Sequence, residues 1–122
     1  MKIAVTAKSN NLESEVDPRF GRCSYFLIVD TDTMDFDSIS NESAMASGGA
    51  GIQAAQTIAG KDVKAVLTGN VGPNAFQTLS ASGIKVFVGV SGTIKESVEK
   101  YNNGELKEIE APSVGSHSGI RG

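Results

Sequence analysis

The stretch DPRFGRC at residues 17–23 is where this chain concentrates chemically able side chains. It sets one acid, two arginines and the single cysteine around a glycine, in a connection too long for a simple turn. Arg19 and Arg22 supply fixed positive charge and forked donors suited to carboxylate or phosphate-like oxygens. Cys23, softened toward thiolate by that charge, could ligate a soft metal or a cluster iron. Two glycine-rich stretches join it: SGGAG (47–51), with Gly49 and Gly51, and TGNVGPN (68–74), with Gly69, Asn70 and Gly72. A backbone without bulky side chains lets a ligand approach main-chain N–H groups, and at a helix start those groups favour anions. Asn70 adds a polar handle.

Each feature also has a plain structural reading. Glycine at a helix start or stop is ordinary capping. Asp17 and Arg19 could form a local ion pair that pins the loop, with Phe20 as a core plug beneath it. Cys23 could be a small buried hydrophobe. His117, the one histidine, stands in a Gly/Ser-rich tail where chance accounts for it. The acidic run DTDTMDFD (30–37) lacks the ligand spacing and glycine of a calcium loop, so it reads as a solvated hairpin turn.

The elements that must position these residues follow from periodicity. KIAVTA (2–7) is a short β-branched run that predicts a buried strand, and SYFLIVD (24–30) predicts a second. DFDSIS (35–40) alternates like a half-buried third strand, close enough to the second for an antiparallel meander. The period then lengthens. A helix over 49–60 should face Ile52, Ala55, Ile58 and Ala59 inward, and a helix over 72–83 should bury Phe76 and Leu79 behind Pro73. A helix over 93–104 should turn Ile94, Val98 and Tyr101 inward. Strands fall between them at 64–69 and 84–90. The order βββαβαβα predicts a three-layer α/β/α arrangement, with a five-stranded mixed sheet of order 3-2-1-4-5 and strand 2 antiparallel. The reversal of strand order then lies between strands 1 and 4, so the 8–22 loop and both glycine stretches leave the same carboxyl edge, where open α/β sheets bind ligands.

Composition narrows the classes. The 122 residues predict a single domain over 1–110 and a flexible tail over 111–122. A net charge of −3 and a pI near 5.1 argue against broad nucleic-acid binding. The opening residues are too short an apolar run for a signal peptide, and no window approaches a membrane span. One cysteine permits no intrachain disulfide, which suits a reducing cytoplasm. Neither glycine stretch fits a P-loop or a dinucleotide fingerprint.

Read in order, DPRFGRCSYFLIVD, GGAGIQAAQTIAGKDVKAVLTGNVGPNAFQTLSASGIKVFV and SVEKYNNGEL resemble the dinitrogenase iron–molybdenum cofactor biosynthesis family, over residues 1 to about 110. This is a group of nitrogenase accessory factors that includes carriers of the cofactor and of its precursor cluster. The resemblance implies a ribonuclease-H-like fold. It also implies non-covalent or single-ligand binding of an anionic iron–sulfur or iron–molybdenum cluster, without catalysis, with cluster donor or acceptor proteins as partners. On matching positions Arg19, Phe20, Gly21 and Arg22 carry the loop motif, and Gly49, Gly51, Gly69, Asn70 and Gly72 carry the glycine motifs. Cys23 is the candidate for direct metal ligation. The alternative is a regulatory module binding a nucleotide or other small anion in the same pocket. A metal-dependent nuclease or phosphoryl-transfer enzyme fits least, because the runs 2–7 and 64–69 carry no carboxylate.

Overall fold

Both faces of the central strands are covered, and the sequence of β1 (Lys2–Ala7) shows why: it has no alternation, and five of its six residues are buried. The computed structural model describes residues 1–45 and 49–112, so the expectations for Ser47, Gly48, His117 and the tail from residue 113 lie outside the described residues. β2 (Tyr25–Asp30) and β3 (Phe36–Ser40) follow β1 as antiparallel neighbours. The acidic turn between them closes on Asp30, whose Oδ1 accepts the backbone N–H of Asp32 at 2.8 Å and of Thr33 at 3.3 Å. A short 3₁₀ turn (Glu42–Met45) leads to α1 (Ala50–Ala59), β4 (Ala65–Leu67), α2 (Pro73–Ala81), β5 (Lys85–Val88) and α3 (Ile94–Asn102).

The sheet has six strands in the order β3-β2-β1-β4-β5-β6, which corrects the expected five. The addition is β6 (Lys107–Ile109), antiparallel to β5 through Val86↔Ile109 and Phe87↔Glu108. Only Ile109 of its three residues is even partly covered, so the strand exists through backbone pairing at an edge and leaves little hydrophobic pattern to read. β1 pairs in parallel with β4, and β4 with β5, which places the strand-order reversal between β1 and β4 as expected.

One face of the sheet packs on α1 and α2 through Phe26, Val66, Ile58 and Leu79; the other packs on α3 through Leu27, Leu67, Ile94 and Val98. Each such side chain stabilises the fold by roughly 1.5–3 kcal/mol on burial. The two neighbouring helices present small residues inward: Ala54 and Ala55 of α1 and Ala75 of α2 are buried. Ile52 and Phe76, expected inside, are only half covered. That close approach brings the two helix starts together at the rim. Among the described residues no helix is long and apolar enough to cross a membrane.

Candidate functional site

The loop after β1 is polar in composition yet firmly held. Val16 bridges back to Ala7, and the Asp17 N–H donates to the Thr6 carbonyl at 2.9 Å. The fully buried Thr6 hydroxyl donates to the Asp17 carbonyl at 2.6 Å and lies 2.9 Å from the Thr68 hydroxyl, also fully buried. This ties the tips of β1 and β4 to the loop at the point where the strand order reverses. Further along, the Asn70 N–H donates to the Pro18 carbonyl at 2.8 Å, and Arg19 forms a parallel bridge with Asn70.

Two glycines make this seam possible. A Cβ on Gly69 would stand 2.6 Å from Pro18 Cα, and a Cβ on Gly21 would stand 2.9 Å from the Gly51 backbone. The loop therefore lies directly on the segment leaving β4 and on the first turn of α1. A Cβ on Gly51 would in turn touch that of Ala75 at 3.4 Å, so the α2 start completes the cluster.

Between them is a hollow of about 370 Å³, within the usual size range of small-ligand sites. Its walls come from the loop (Arg19, Phe20, Gly21), from the α1 start (residues 49–52), and from Asn70 with the α2 start (residues 72–75). Gly49 precedes α1 in the left-handed conformation, φ 72° and ψ 16°. A left-handed residue followed by helical ones turns successive N–H groups toward one concavity, an arrangement that suits anions. Gly72 precedes α2 in extended backbone with Pro73 at the first helical position. Neither cap residue has a side chain to offer, and neither helix carries an acid in its first turn. The first intrahelical bonds run from Gln53 to Gly49 and from Phe76 to Gly72, at 2.9 and 3.0 Å. The N–H groups of residues 50–52, 74 and 75 thus precede the helical ladder, where no carbonyl of the same helix reaches them.

Arg19 adds a cation. Its side chain is 64% exposed, while Nε and Nη2 donate to the Asp17 carboxylate at 3.2 and 3.3 Å. That hydrogen bond and charge hold the guanidinium even more firmly protonated than usual. Phe20 is both plug and wall: it is buried, its ring 5.4 Å from that of Phe26, and it also lines the hollow.

Three expected contributors stand elsewhere. Arg22 is not part of the described lining; its Nη1 donates to the Ala44 carbonyl at 2.6 Å, bracing the 3₁₀ turn. Gly69 does not line the hollow and serves the close contact with Pro18. Cys23 is fully buried, its Sγ donating to the Phe20 carbonyl at 3.3 Å and accepting from Asn41 Nδ2 at 3.7 Å. Burial, and then the nearby Asp17 charge, push its thiol up to about 12, the reverse of the softened thiolate that two arginines suggested. The spacing of Arg22 and Cys23 from Arg19 could not reveal which way each side chain leaves the turn. Ile52 and Ala75 are wall residues just beyond the two glycine stretches, and Pro73 and Asn74 are wall residues within the second, none of them marked by a chemically distinctive side chain.

The model of the family described as dinitrogenase iron–molybdenum cofactor matches residues 1–104. The apo form of the orange protein from Desulfovibrio gigas is 42% identical, over 91% of this chain and 94% of that one, with a TM-score of 0.88. A Thermotoga protein described as belonging to the DUF35 family is 36% identical, over 88% and 91% of the two chains, with a TM-score of 0.76. An uncharacterized protein of Methanocaldococcus jannaschii is 31% identical over 113 residues, 90% of this chain and 92% of that one.

Proposed function

The chain belongs to the dinitrogenase iron–molybdenum cofactor family, and from that membership we propose that it is a non-catalytic carrier of an anionic metal–sulfur cluster, of iron–molybdenum or iron–sulfur type. The observation that carries the reading is the convergence of the 17–23 loop with two glycine-led helix starts around one hollow. Backbone N–H groups and a single arginine suit a ligand that arrives with its metals already shielded by sulfur. Phe20, Ile52 and Pro73 would pack against its soft surface while the donors meet its charge. No cysteine, histidine or carboxylate belongs to the described lining, so the cargo would be held outside its coordination sphere. The ribonuclease-H-like sheet implied by the resemblance is, in this reading, a scaffold whose nuclease chemistry is unused. Two-metal phosphoryl transfer needs converging carboxylates, and among the described residues no group of three or more His, Cys, Asp or Glu could hold a metal ion. Cluster donors and acceptors would be the protein partners, and a reducing cytoplasm would preserve both cargo and the buried thiol.

Tetrathiomolybdate, a small soluble anion with sulfur around its metal, is a suitable probe. Protein purified without oxygen is expected to retain it through gel filtration, as read by molybdenum analysis. Arg19→Ala should weaken retention by about tenfold, the scale of one hydrogen bond to a charged group; it also takes a partner from the buried Asp17 carboxylate and should lower the melting temperature, so retention is compared below the transition of both proteins. Equal retention by the variant would contradict the proposal. Displacement by ATP at comparable concentration would favour the nucleotide-binding alternative.

A further inference from the structure

Among the described residues one charged side chain is buried, and it stands just behind the hollow: Asp17, 2% exposed. Burying a carboxylate is costly unless partners compensate it, and beside an anion site it also repels the ligand. Its position therefore needs a reason. The Asp17 backbone is fixed to β1 at both its N–H and its carbonyl. Its Oδ1 accepts the Arg19 backbone N–H at 3.0 Å and Nε at 3.2 Å, and its Oδ2 accepts Nη2 at 3.3 Å. One edge of the guanidinium is thus occupied by a carboxylate whose backbone is anchored to β1 and to the Thr6 hydroxyl. Nη1 takes no part in this pairing, and the Arg19 side chain is largely exposed.

We propose that Asp17 is a positioning and selectivity residue of the hollow: it fixes Arg19 by one edge, presents Nη1 to the ligand, and offsets the arginine's charge so that small hard oxyanions gain little there. This rests on the reading of the hollow as a site for an anionic metal–sulfur ligand. A compact oxyanion such as phosphate must replace tight hydration with Coulomb attraction, and a neutralised Arg–Asp pair supplies little of it. A large sulfur-clad anion is weakly hydrated and gains from packing on Phe20 and Pro73 as well as from oriented donors. Asp17 would then lower affinity for common cellular anions and spare the intended cargo.

Titration calorimetry with tetrathiomolybdate and with inorganic phosphate tests this on the wild type, Asp17→Asn, Arg19→Ala and the double variant. Asp17→Asn is expected to lower the preference for tetrathiomolybdate over phosphate by about tenfold, since the amide can satisfy only part of the fork and brings no charge. In the Arg19→Ala background the same substitution should change the preference by less than about twofold, because the carboxylate acts through the arginine. Arg19→Lys keeps the charge without the fork on an exposed side chain, and should also lower the preference; it decides the matter should Asp17→Asn fail to fold. A wild type that prefers tetrathiomolybdate, with a preference that survives Asp17→Asn or falls equally without Arg19, overturns this assignment alone. A wild type that binds phosphate and ignores tetrathiomolybdate overturns the reading of the hollow and the assignment with it.

Discussion

The start of α3 and the starts of α1 and α2 face the same problem, unpaired N–H groups, and meet it in opposite ways. At α3 the Thr93 hydroxyl accepts the Glu96 N–H at 3.1 Å, and Glu96 Oε1 accepts the Thr93 N–H at 2.9 Å, a complete capping box. On the opposite face of the sheet, α1 and α2 begin with glycines, no side-chain cap and no acid in the first turn. A capping side chain is worth about 1 kcal/mol, and α3 carries one. Leaving two adjacent starts open along one rim is a local concession of stability, and such concessions gather where a protein binds. In the proposed reading, the capped start of α3 serves the fold and the uncapped starts of α1 and α2 are free for a ligand.

The largest effect is expected where the loop lies on the segment leaving β4. Gly69→Ala forces a methyl group to within 2.6 Å of Pro18 Cα, and the loop must lift from the segment leaving β4. A loss of about 3 kcal/mol in urea unfolding is expected, the upper end for forcing atoms into packed structure. A loss below about 1 kcal/mol would mean that the loop is not pinned there. A smaller effect belongs to the far face: Thr93→Ala should cost about 1 kcal/mol of stability and leave tetrathiomolybdate retention unchanged. The smallest is a pH effect. Glu96 sits below the ordinary carboxyl value of 4.5 because the Thr93 N–H and hydroxyl bind its charged form. Its contribution is therefore complete above about pH 4.5 and fades as pH falls through its lower folded value. Glu96→Gln should flatten that part of the acid stability curve.

The sheet and helices were largely legible because apolar runs are dense where both faces are covered, as in KIAVTA and SYFLIVD. β6 was not, since Lys107 and Glu108 are exposed and the strand is defined only by its partner β5. Inward positions in the helices were partly misjudged for a related reason. Periodicity favours large residues such as Ile52 and Phe76, whereas two closely packed helices bury Ala54 and Ala75 beside the expected Ala55. For the site, topology was enough to bring the loop and the glycine stretches to one edge. The direction of each side chain within a turn was beyond it, so Arg22, Gly69 and Cys23 were placed at the hollow when they brace or pack the structure around it. The sequence offers Asp17 as an ion pair that pins the loop, and its pairing with Arg19 has that form; its depth follows from the fold, which anchors its backbone to β1 and the Thr6 hydroxyl.

Gly72 gives the most direct test. It precedes α2 in ordinary extended backbone, and a Cβ there meets nothing within 4 Å, so Gly72→Asp supplies the cap that α3 has and α2 lacks. The expected result is a protein more stable by up to about 1 kcal/mol whose affinity for tetrathiomolybdate falls by about tenfold or more. A variant that is stabilised and binds as well as the wild type would contradict the claim that the open helix starts hold the ligand.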